Sequence, residues 1–167
     1  MKLEQEVTLE KNILMDKTHT VIISTVDNNG VPNASYAPFG VDNYNNFYIY
    51  VSELSKHTGN LKINNVVSLM LIEDESKSSN IFARKRLTIK AKPVLIDRGS
   101  IEWHEKIIHL EKKYKESMKF LKDMSDFELF QLKPIDALLV YGFGKAFRFT
   151  GSQLDNLKHI NDKGHKL

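Results

Sequence analysis

The stretch "TVIISTVDNNGVPNASYAPFGV" constrains the fold more than any other part of the chain. Val21, Ile22, Ile23, Thr25 and Val26 are strand formers, and Asn29-Gly30 is the strongest short hairpin signal, because a tight turn between twisted strands needs backbone that these two residues adopt at low cost. A hairpin near the start commits the chain to an antiparallel sheet, and further strands follow at regular spacing. "FYIYVSE" continues after an Asn45-Asn46 turn. "VVSLMLIED" is apolar at nearly every position and is predicted to be buried on both faces. "KRLTIKAKPVLID" alternates at Leu87, Ile89 and Ala91, as a strand with one wet face does, and Pro93 marks an edge or a bulge because it cannot donate to a ladder. "LFQL", "ALLVYGF" and "AFRFT" add more strands toward the end.

Helices are few. Leu3, Val7, Ile13 and Leu14 predict a short one over residues 3–14, and "TGNLKINN" starts another. From Ser100 to Met124 the pattern predicts one long helix, with Ile107, Leu110, Tyr114, Met118 and Leu121 on its apolar stripe and Ser100 as N-cap. The expected fold class is mainly β: an antiparallel sheet or small barrel with a few helices. Closure into a barrel suits such a chain, since it leaves no free edge.

At 167 residues, 41% hydrophobic and 27% charged, the chain suits one globular domain. A net charge of +3, with the basic runs "ARKR" and "EKKYKE" short and interrupted, argues against nucleic acid. The absence of cysteine excludes disulfides, thiolate metal sites and a cysteine nucleophile. No signal-peptide pattern and no run of bilayer-spanning length is present, which points to a cytoplasmic protein without a membrane partner.

Three clusters carry candidate chemistry. "SELSKHTGNL" gathers Ser52, Ser55, Lys56, His57 and Thr58 where a strand runs into a helix; such groups can hold a phosphate, though the same residue types also serve plain capping turns. In "IFARKRLTIK", strand alternation puts Arg84 and Arg86 on one face with Lys85 opposite, suiting a carboxylate or phosphate; ion pairing to Glu73, Asp74 and Glu75 is the plainer reading. Asp126, after the long helix, looks like a turn carboxylate. His104 and His109 stand five apart and do not share a helix face, so they do not suggest a metal pair. The chain closes on "LDNLKHINDKGHKL", a polar tail with His159 and His165. On its own this reads as a solvated end.

Taken together, "VDNNGVPNASYAPFGVDNYNNFYIYVSELSKHTGNL", "LIEDESKSSNIFARKRLTIKAKPVLIDR", "SDFELFQLKP" and "GFGKAF", in this order and spacing, resemble the HugZ/HutZ-type heme-utilisation proteins. These are a branch of the pyridoxamine 5′-phosphate oxidase-like superfamily, and the resemblance runs from His19 to His165. It implies an FMN-binding-type split β-barrel that forms an intertwined homodimer with its ligand at the interface. Residues 1–153 would be the barrel domain and 154–167 its ligand-bearing tail. The cofactor would be heme, degraded oxidatively to release iron for iron acquisition, with electrons from an unidentified donor. The resemblance places the axial heme-iron ligand on His165, within Gly164-His165, with His159 as a second candidate. It puts Arg86 near the heme, with Arg84 and Lys85 beside it for the propionates, and Asp126 on the ligating histidine. A carboxylate there fixes the imidazole tautomer and raises its basicity. Two other functions remain open: a heme carrier without turnover, and an FMN-dependent oxidoreductase, since "SELSKHTGNL" resembles that superfamily's flavin phosphate region.

Overall fold

The computed structural model describes residues 2–160. Helix α1 (Lys2–Lys17) leads into β1 (Thr20–Val26), β2 (Pro32–Val41) and β3 (Phe47–Ser52); then come α2 (Lys56–Ile63), β4 (Val67–Ile72) and, after two short 3-10 turns, β5 (Arg86–Ile96). Helices α3 (Ile101–Tyr114) and α4 (Glu116–Leu121) precede β6 (Phe127–Val140), β7 (Ala146–Thr150) and β8 (Asn156–His159). The strands form one antiparallel sheet in the order β3-β2-β1-β4-β5-β6-β7-β8, and an added β3–β6 pairing closes β1 to β6 into a six-stranded barrel.

The hairpin forms where Asn29-Gly30 predicts it. Asp27 Oδ1 accepts from Asn29 N and Val31 N at 2.8 and 2.9 Å, and Gly30 takes φ of 79°. Inward positions alternate along β1, β4 and β5. Val21, Ile23, Leu69, Leu71, Leu87 and Ile89 meet Phe39, Phe47, Phe130 and Phe149 in the barrel core. A second cluster outside the barrel packs Trp103, Ile107, Leu110 and Met118 of the helices on Tyr48, Tyr50 and Leu129.

Three expectations need correction. β4 is buried on one face only: Val67, Leu69 and Leu71 point in, while Ser68 is exposed and Met70 and Ile72 are half-exposed. Among the described residues, no element covers its outer face fully. Second, "LFQL" and the "ALLV" of "ALLVYGF" belong to one 14-residue strand, β6. It pairs with β5 along its length; on its other side its first half pairs with β3 and its second half with β7. A register shift opposite Lys90/Ala91 lets this strand bend through Pro134 and Ile135. Pro93 sits in the part of β5 that has lost β4 as neighbour, an edge position as expected. Third, the long helix is broken at Lys115, whose φ of 49° and ψ of −122° end α3.

The break follows a tertiary contact. Tyr114 Oη accepts the Phe39 amide at 2.9 Å and lies 2.6 and 2.7 Å from the carbonyls of His19 and Phe39, so the last residue of α3 is tied to the ends of two barrel strands. The chain then restarts as α4 with Met118 turned inward. Tyr114→Phe removes this hydroxyl and leaves polar groups of the fully buried Phe39 without it. It is expected to destabilise the fold by about 1–3 kcal/mol, measured as a lowered urea midpoint with unchanged slope.

Candidate functional site

The strand pleat decides which side chains of the barrel face outward, and beside the start of β5 those side chains are mostly apolar. Cross-strand register aligns two outer rows over four adjacent strands: Ile72–Arg86–Val140–Ala146, and Met70–Thr88–Leu138–Arg148. The second row continues round the barrel from Met70 to Ile22 and Tyr36. Tyr36 is 68% exposed and Ile22 37%. Arg86 therefore stands in an apolar patch, and among the described residues its guanidinium donates only to Arg84 O, at 3.1 Å. Four of its five N–H donors are left for something else.

Arg84 and Lys85 behave differently, and the expected alternation does not hold for them, because β5 begins at Arg86. Arg84 caps the second 3-10 turn and folds back on the preceding loop. Its Nη1 pairs with Glu75 Oε1 at 3.0 Å, and its Nη2 donates to Glu73 O. Lys85 Nζ meets Glu10 Oε2 of α1 at 2.7 Å, while its amide donates to Glu73 Oε1 at 2.8 Å. Both line a groove of about 830 Å³ that also contains Glu73, Asp74 and Glu75. Their charges are already balanced by carboxylates, so of the basic triplet Arg86 is the one left to meet an anionic ligand.

Asp126 lies just before β6. Ser52 Oγ donates to its Oδ2 at 3.0 Å, and its own carbonyl accepts from Glu53 N at 2.7 Å. The carboxylate is thus fixed at the end of β3, beside an apolar cavity of about 350 Å³ lined by Tyr36, Ser52, His57, Tyr114, Met118 and Phe127 among others. His57, at the start of α2, is 7% exposed. Its Nδ1 lies 2.9 Å from Ser35 Oγ, and its Nε2 is buried without a partner among the described residues. Burial pulls its pKa below the ordinary histidine value, which keeps the ring neutral at pH 7. Thr58 of the same cluster donates to Ser52 O at 2.6 Å, a local turn bond of the kind expected. The polar tail opens with β8, where His159 stands opposite Phe147 in the ladder. His165 lies outside the described residues.

Among the described residues, Arg86 and Asp126 therefore do not converge within one chain. Arg86 is paired with Val140 at one end of β6, and Asp126 precedes the other end. With a rise of about 3.3 Å per residue, a 14-residue strand separates them by tens of ångströms. Two features escaped sequence reading. The Ser52–Asp126 bond joins residues 74 apart, and the burial of His57 depends on strands that pack over it; neither leaves a local signal.

Residues 10–141 match the family model for pyridoxamine 5′-phosphate oxidase. The heme oxygenase HutZ of Vibrio cholerae is 39% identical over 147 residues, which cover 88% of this chain and 82% of HutZ. The crystal structure of HutZ from the same organism, described there as a heme storage protein, superposes with a TM-score of 0.77 at 33% identity, covering 82% of this chain and 97% of that one. Campylobacter jejuni ChuZ superposes with a TM-score of 0.87 at 32% identity over 98% of this chain, which spans 66% of ChuZ. The chain belongs to the pyridoxamine 5′-phosphate oxidase family, in the branch of HutZ.

Proposed function

We propose that this protein binds heme on the apolar patch around Arg86 and degrades it oxidatively to release iron. The observation that carries the reading is the patch itself: two aligned, mostly apolar rows in which Arg148 is paired with Asp136 and Arg86 meets no carboxylate among the described residues. A porphyrin is a flat apolar ring with two carboxylates, and that pairing of surfaces suits it. HutZ is named both as a heme oxygenase and as a heme storage protein, and both names point to the same ligand.

His165 is the proposed iron ligand, Arg86 the partner of a propionate or of a distal group, and Asp126 the acceptor for the second N–H of the ligating imidazole. Bound heme supplies the redox chemistry, and the chain supplies the ligand, the pocket and the proton access. Ser52 holds Asp126 in one orientation, and so fixes which nitrogen of the histidine carries its proton.

A second copy completes the site. Arg86 and Asp126 stand at opposite ends of β6, and a homodimer would bring one end from each chain together. The exposed apolar residues Ile22 and Tyr36, continuous with the patch, suit burial against a partner.

Hemin titration of the protein is expected to give a stoichiometric Soret band that His165→Ala shifts or abolishes, and ascorbate in air should bleach it. A stable band without bleaching would identify a carrier. Identical spectra for wild type and His165→Ala would remove the tail from the site and bring His159 or an FMN site forward. Asp126→Asn should keep hemin binding but slow bleaching by an order of magnitude or more, with Ser52→Ala acting in the same direction and more weakly; single-turnover absorbance traces measure both. Ile22→Glu should convert the dimer to a monomer in analytical ultracentrifugation and weaken hemin binding, while leaving far-ultraviolet circular dichroism unchanged.

A further inference from the structure

Helix α1 turns Val7, Lys11, Leu14 and Met15 toward the core, so a lysine occupies a place on its buried stripe. Lys11 is 5% exposed. Its amine donates to the carbonyl of Leu154, 143 residues away, at 3.2 Å and lies 4.8 Å from the centre of the Phe149 ring. A leucine or methionine would fill this space without the cost of burying an ammonium. What the lysine adds is a directed bond to one carbonyl.

That carbonyl belongs to an unusual turn. Leu154 is fully buried yet takes φ of 53°, backbone that a bulky side chain rarely adopts. Its amide donates to Gly151 O at 3.0 Å, and Gly151 itself has φ of 92°. A Cβ on Gly151 would lie 2.5 Å from Asp155 Oδ1, so the turn is tight as well as strained. The turn is also gripped from the other side: Asn45 Nδ2, on the β2–β3 turn, donates to Gln153 O at 2.6 Å. Directly after it, β8 pairs back on β7, with Asn156 opposite Thr150 and His159 opposite Phe147. Two consecutive carbonyls of the turn are therefore held by side chains from distant parts of the chain, immediately before the segment that carries His159 and His165.

We infer that Lys11 and Asn45 form a two-point latch that fixes the 151–154 turn and so aims the C-terminal segment at the heme site, making both positioning residues for the iron ligand. This rests on the heme reading above. A strained conformation persists where its surroundings over-determine it, and removing either grip lets the turn relax. β8 then leaves its ladder with β7 more often, and the ligand spends less time at the iron.

Lys11→Met keeps the packing on Phe149 and deletes the bond, and Asn45→Gly deletes the other grip at a half-buried turn position whose φ of 61° glycine accepts. In the apo-protein, both variants are expected to be cut by trypsin after Lys158 roughly tenfold faster than wild type, at unchanged circular dichroism. In the hemin complex, both should release hemin to a scavenging apoglobin roughly tenfold faster, with a Soret band displaced toward that of His165→Ala. Unchanged cleavage in both variants would falsify the latch. Faster cleavage with wild-type hemin release and spectrum would overturn its positioning role. A failure of the heme reading is distinguishable, because His165→Ala would then match wild type; a failure of this inference shows Lys11→Met and Asn45→Gly matching wild type while His165→Ala does not.

Discussion

The barrel depends on β6. One strand must serve as neighbour to β5 along its whole length and, on the other side, to β3 and then β7. Its inward residues Phe130, Leu132, Ala137 and Leu139 are buried, so the strand is held by core packing as well as by three ladders. The bend at Pro134 and Ile135 makes this double service feasible. A proline gives up a donor, and the irregularity opposite Lys90/Ala91 falls at the point where β3 ends its pairing and β7 has not yet begun. The β6–β7–β8 extension, and with it the departure of the C-terminal segment, follows from the second half of this strand.

Charge placement separates the three residues of the basic run by function. The carboxylates of the 73–75 loop draw Arg84 out of strand register, and Glu10 on α1 takes Lys85. Arg86, the first residue with strand geometry, is left facing outward among Ile72, Val140 and their neighbours. The acidic loop and Glu10 thus shape the patch indirectly: between them they pair two cations of the run and leave Arg86 to the apolar side chains. A porphyrin with propionates needs that combination more than it needs three positive charges.

The fold also separates Arg86 from Asp126. Arg86 belongs to the patch at one end of β6, while Asp126, Ser52 and His57 gather by the apolar cavity near the other. In the proposed homodimer a two-fold axis would bring the two ends together, since each copy presents both. The break at Lys115 contributes to the cavity end, because it lets α4 swing Met118 and Leu121 over the space that Tyr114 anchors.

Local chemistry already determined several parts of this protein. Asn29-Gly30 set the first hairpin, Ser100 capped α3 by accepting from the Trp103 amide at 3.1 Å, and alternation at Leu87, Ile89 and Ala91 gave the inner face of β5. Each of these is decided by residues a few positions apart. Motif order carried the family and pointed to Arg86, Asp126 and the tail histidines as one set. What periodicity could not reveal depended on distant partners. Apolar residues at nearly every position of β4 predict two buried faces, yet the outer one is left exposed at Ser68 and partly exposed at Met70 and Ile72. An unbroken stripe predicts one helix from Ser100 to Met124, yet Tyr114 is tied to Phe39 and His19 and breaks it. A lysine in α1 reads as polar surface until Leu154, far along the chain, presents its carbonyl. Short-range preferences choose strand, turn and cap because their energies are settled within a few residues. Which cations stay free, which faces stay uncovered and where the tail departs are settled by packing between distant segments, and that belongs to the tertiary structure alone.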